Sequence, residues 1–156
     1  MHFKLIALIL MLITFIFDLV MKYLDVKSAE REIPDNVKDV YDEESYQKWL
    51  AYDKEKNRLS LIRYIVSSVC MFLLIGLNVY ALIIEVCGIE GLYLSGNMVL
   101  VFDLVISLFY VVPFSYVDTM KIEQKYGFNR MTKKTFIIDQ IKDVIINLII
   151  LCGLMS

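Results

Sequence analysis

Residues 3–24 read FKLIALILMLITFIFDLVMKYL, and between Leu5 and Phe17 the only polar side chain is Thr14. At about 1.5 Å per residue a helix over this block is ~30 Å long, the thickness of a bilayer's hydrocarbon core. A secretory leader is the competing reading, because Lys4 precedes the apolar run, but no small-x-small cleavage pattern follows it. Asp18 and Lys22 lie four apart near the end of the block, carboxylate first. That is the favourable order for a helical ion pair, and the alternative is a solvated helix end with a snorkelling lysine.

Three further blocks repeat the pattern. Leu61–Val86 contains Ser67, Ser68, Asn78 and Glu85; Met98–Val117 contains Asp103, with Pro113 near its end; the last runs from Phe136 to about Met155. Hydrophobic residues make up 58% of the 156, and the mean hydropathy is +0.61. Both exceed what a soluble domain carries, and the lipid bilayer becomes the first expected partner. A net charge of -2 leaves no basic field to recruit nucleic acid.

Between the apolar blocks the charges are distributed unevenly. Gly88–Asn97 has no lysine or arginine, whereas the segment from Asp25 to Leu59 and the segment after Val117 are rich in both. Positive loops remain in the cytoplasm, so the two basic segments are expected inside and both termini outside. In the first loop, Pro34 can start a helix over Asn36–Tyr41, and Ser45 can cap a second whose apolar side carries Trp49, Tyr52 and Leu59. The sequence predicts an all-α, multi-pass membrane protein forming one domain. Its four transmembrane helices cover about 3–24, 61–86, 98–126 including a cytoplasmic extension, and 133–155. A long, partly helical first cytoplasmic loop and a helical hairpin junction between helices three and four complete the expectation.

The residues available for chemistry are few. His2 is the single histidine, so a His-Glu-x-x-His zinc site is impossible from this sequence. Cys70, Cys87 and Cys152 show no Cys-x-x-Cys spacing and read as small hydrophobes. No Gly-x-Ser-x-Gly elbow or Walker loop occurs. No catalytic residue, bound cofactor or metal ligand is therefore assigned. Asp103 lies about one and a half turns inside the third block, where a proton or polar-substrate contact competes with a shallow, interface-solvated acid. Asn78 and Asn147 read as amides bonding neighbouring helices. A small transporter would draw on Asp103, Asn78 and Glu85, but no inverted repeat supports one.

Polar information is densest in residues 113–132, PFSYVDTMKIEQKYGFNRMT. On an α-helix Asp118, Ile122 and Lys125 share one side and Thr119, Glu123 and Tyr126 another, with Gly127 ending the helix. Phe128 is expected to fold back over the last turn, and Asn129 or Thr132 to cap the next helix. This segment, continued through KKTFIIDQIKD at 133–143, resembles the N-terminal membrane region of the CAAX prenyl protease 1 family of integral-membrane zinc metalloendopeptidases. The P-F-S, E-x-K-x-G-F-N and T-F-I-x-D-x-I-K elements carry the likeness. Tyr23-Leu24-Asp25, Ile33-Pro34, Val40-Tyr41-Asp42 and Tyr46 through Tyr52–Lys56 look like that family's first cytoplasmic loop.

The resemblance implies a membrane scaffold for proteolysis of prenylated or membrane-associated peptides, with zinc held only in a catalytic domain C-terminal to this region. Glu123, Gly127, Phe128, Asn129, Thr132, Asp139 and Lys142 match the family pattern and are implied to be structural or to dock that domain. The chain is then a fragment, a split gene product or a degenerate relative, not catalytically complete alone. Its partner is a zinc protease domain in cis or in trans. The competing reading is a non-enzymatic membrane module that binds or regulates a lipidated or membrane peptide.

Overall fold

The computed structural model describes residues 2–28 and 43–154, and every regular element among them is helical. Helix α1 covers His2–Ser28, α2 Glu43–Gly76, α3 Val79–Val86 and α4 Leu92–Val117. A π-helical segment, Asp118–Glu123, continues α4 into the short α5, Gln124–Tyr126; α6 is Lys133–Leu154. The helix expected over Asn36–Tyr41 lies outside the described residues. Ser45, expected to cap a helix, sits instead within the first turn of α2, which runs unbroken from the polar loop into the second apolar block.

Helices α1 and α2 form an antiparallel hairpin in a regular register. Lys4 donates to the Gly76 carbonyl and to Asn78 Oδ1, both at 2.8 Å; Tyr64 donates to Asp18 Oδ2 at 2.9 Å; Lys22 donates to Ser60 Oγ at 3.0 Å. Each step up α1 is matched by a step down α2, with Phe15 stacked on Tyr64 and edge-on to Phe72 between the polar rungs. Asp18 and Lys22 thus each reach across to α2, rather than acting as an intrahelical pair. A rung between helices ties two elements together, where an exposed i,i+4 pair within one helix contributes only a few tenths of a kcal/mol.

Three helices among the described residues are long and apolar enough to cross a bilayer: Phe3–Lys27, Glu43–Gly76 and Leu92–Tyr126. Their large hydrophobic side chains point outward, Phe17 at 64% and Phe109 at 77% exposure, and among all the described residues only Met120, Ile122 and, on α6, Phe136 are buried. A protein that turns its apolar residues outward along three long helices presents a surface suited to lipid. Helix α6 is not among the three, because Lys133, Lys134, Asp139, Lys142 and Asp143 occupy its first half.

The second apolar block is not one helix. The chain breaks at Leu77-Asn78, where Asn78 adopts the left-handed conformation with φ 55°, and α3 starts afresh. Asparagine tolerates that region better than other residues with a Cβ, and Lys4 holds the break by binding both the freed Gly76 carbonyl and the Asn78 amide. A continuous helix over 61–86 would be about 39 Å long, more than a bilayer core needs, whereas the apolar part of α2 alone comes close to spanning it.

Candidate functional site

The end of α4 and the charged first half of α2 meet at a polar and aromatic junction. It is built by the π-helical segment. With hydrogen bonds closing from i to i+5, residues five apart stack on one face, whereas an α-helix would separate them. Asp118 and Glu123, five apart, therefore converge on one lysine: Lys56 Nζ lies 3.4 Å from Asp118 Oδ1 and 3.0 Å from Glu123 Oε1. The α-helical grouping of Asp118 with Ile122 and Lys125 does not hold; Ile122 is buried and Lys125 turns to a different carboxylate.

That second carboxylate is Glu55, which pairs with Lys125 and accepts a hydrogen bond from the Tyr126 hydroxyl at 3.1 Å. One turn earlier, Tyr52 packs edge-on to Tyr126 at 5.5 Å and against Phe128 at 4.6 Å, while Lys56 lies over its ring. Tyr52, Glu55 and Lys56 follow the i, i+3, i+4 spacing of one helical face. All these groups lie beyond the apolar stretches of their helices. The Lys125 hydrogen bond holds the Glu55 carboxyl below its ordinary range against the opposing effect of partial burial. Burial pulls Lys56 down, but its hydrogen bond to Glu123, its contact with Tyr52 and the charge of Asp118 outweigh it, and the ammonium is held above its usual range. Asp118 Oδ1 is shielded from solvent and accepts no hydrogen bond, only the charge of Lys56.

The family-pattern residues complete the turn from α5 to α6. Gly127 has φ 83°, its N–H donates to the Gln124 carbonyl at 3.1 Å, and the Phe128 N–H donates to the Glu123 carbonyl at 2.9 Å. These are the two bonds of a Schellman turn, which places Phe128 against Tyr52 with 58% of its surface still exposed. Asn129 does not cap α6. Its Oδ1 accepts from the Met131 N–H at 2.7 Å and its Nδ2 donates to the Thr119 carbonyl at 3.1 Å, tying the turn to the π-helical segment. Thr132 is the cap, its Oγ1 accepting from the Thr135 N–H at 3.2 Å. Asp139 and Lys142 form an exposed i,i+3 pair at 3.4 Å on α6, apart from the junction.

The intramembrane polar residues are dispersed. Asp103 accepts a 2.5 Å hydrogen bond from the Tyr80 hydroxyl of α3. Asn78 holds the break after α2, and Asn147 donates to the Asp143 carbonyl one turn back on its own helix. Sequence reasoning missed the α2 half of the junction as a site, although the 52/55/56 spacing was available to find it. It also missed Asp118, because the π-helical register that turns Asp118 to Lys56 leaves no trace in residue spacing. Among the described residues no three His, Cys, Asp or Glu side chains are grouped to hold a metal. With His2 the single imidazole of the sequence, the donor set present does not fit a catalytic zinc.

A family model described as CAAX prenyl protease N-terminal, five membrane helices, matches residues 22–156. The chain belongs to this family. The match takes in α2, α3, α4 and α6 together with the whole α2–α4 junction. It supports a membrane-embedded, multi-pass domain in contact with lipid. Searches of curated proteins and of solved structures return no significant match. The CAAX prenyl protease N-terminal family is thereby recognised from sequence alone, and the junction is the feature of this member in which matched residues and tertiary contacts coincide.

Proposed function

We propose that this chain is the N-terminal transmembrane scaffold of a zinc metalloendopeptidase of the CAAX prenyl protease type, acting on prenylated or membrane-associated peptides. The observation that carries the reading is the family match over residues 22–156, which includes every junction residue from Tyr52 to Thr132. In this reading α6 crosses as a fourth span, and the basic segments, junction included, face the cytoplasm. The metal and its ligands are contributed by sequence outside these residues, in cis or in trans, and no chemical step is assigned to a side chain described above. Glu123, Gly127, Phe128, Asn129 and Thr132 fix the turn between α5 and α6; the half-exposed Phe128 and Trp49 remain available to a docked protease domain.

Purification from native membranes, with mass determination and zinc analysis, tests this. A species much heavier than 18.2 kDa, or a stoichiometric zinc-bearing partner, is the expected result. A zinc-free species of 18.2 kDa with no such partner overturns the protease reading and leaves the membrane module that binds or regulates a lipidated peptide.

A further inference from the structure

Between α2 and α4, away from the junction, lies a cavity of about 280 Å³. Its polar lining is Ser67 and Cys70 from α2 and Asp103, Ser107 and Tyr110 from α4. Two hydroxyls of this lining spend their hydrogens on backbone carbonyls. Ser67 donates its hydroxyl to the Tyr64 carbonyl at 3.0 Å, and Ser107 donates to the Leu104 carbonyl at 2.7 Å, so both present lone pairs. The Tyr80 hydroxyl donates to Asp103 Oδ1, and Oδ2 is left to accept from another donor. Among the described residues no lysine or arginine forms an ion pair with Asp103.

A carboxylate in an apolar segment, beside two serine oxygens and with no lysine or arginine paired to it among the described residues, favours a cation there. The cavity is too large for a bare metal ion held by contact. Met71, Leu74 and Leu104 supply an apolar wall, and Tyr110 an aromatic one. We propose that this cavity binds a small alkylammonium ion, its positive charge against Asp103 and the serine oxygens, its carbon atoms against Met71, Leu74 and Leu104. The tyrosine ring adds the attraction of an aromatic face for a cation. The site is independent of the protease reading and of the junction.

Cys70 lines the same cavity and serves as the reporter. In the full chain with Cys87 and Cys152 replaced by serine, the Cys70 modification rate is measured with two methanethiosulfonates, one bearing trimethylammonium and one sulfonate. Rates are normalised to free cysteine. The cationic reagent is expected to react at least about tenfold faster, because a carboxylate lining the same cavity attracts one reagent and repels the other. Methylammonium should slow the reaction and acetate should not, and Asp103→Asn should abolish the preference. A Cys70 unreactive to both reagents, a rate indifferent to charge, or a preference surviving Asp103→Asn overturns the proposal. If Asp103→Asn does not fold, the comparison of methylammonium with acetate on the parent protein decides, and absence of protection by methylammonium overturns it.

Discussion

Gly127 holds φ at 83°, and a Cβ added there meets nothing within 4 Å. Any penalty for a larger residue is therefore a backbone penalty, the cost of placing an L side chain in the left-handed region, about 1 kcal/mol. Gly127→Ala should lower the thermal unfolding midpoint in detergent accordingly, and Gly127→Asn should lower it less. Gly76→Ala, at a site without positive φ and equally open, is the control. A midpoint for Gly127→Ala equal to that of the parent would show that the Schellman turn does not hold the junction. The role of Gly127 was legible in the sequence because the glycine's position in K-Y-G-F-N states its conformation. Asn129 was legible only as a polar turn residue: which of its two amide atoms would find Thr119 or Met131 depends on how the turn packs onto the preceding helix.

The π-helical segment acts at the scale of the element. By stacking Asp118 over Glu123 it gives Lys56 two carboxylates, and it commits α2 to α4 through that lysine. Replacing Lys56 by methionine should leave two negative charges facing one another with no cation between them, and destabilise the protein by about 1–3 kcal/mol. In a background of Glu123→Gln the same substitution should cost less, with a coupling of about 1 kcal/mol in a double-mutant cycle read by denaturant or thermal unfolding. Strict additivity would mean that the ion pair contributes nothing measurable. A second element-scale feature, the break at Asn78, shows the limit of hydropathy: the residues either side of it are apolar enough to continue a helix. The interruption comes from one left-handed residue and from Lys4 on another helix. No local pattern within 61–86 reports a lysine 72 residues before Gly76.

For the whole molecule, the lysine-free turn and the two basic segments predict one orientation, with 88–97 outside and the junction inside. Cysteines introduced at Ser95 and at Arg130, in sealed right-side-out vesicles with the native cysteines replaced, should differ: the first labelled by an impermeant maleimide, the second only after permeabilisation. The reverse pattern would overturn the orientation while leaving the helices intact. The sequence by itself determined that the chain is helical, multi-pass and a member of its family, because apolar length and the spacing of the E-x-K-x-G-F-N turn are local properties. Tertiary structure alone decided that Asp118 shares Lys56, that Tyr80 meets Asp103, that Asp18 and Lys22 face α2, and that the second apolar block divides in two. Each depends on which residues of distant helices come opposite one another. That is set by the register of packed helices and by a single π-helical segment, and neither is written in the periodicity of any one segment.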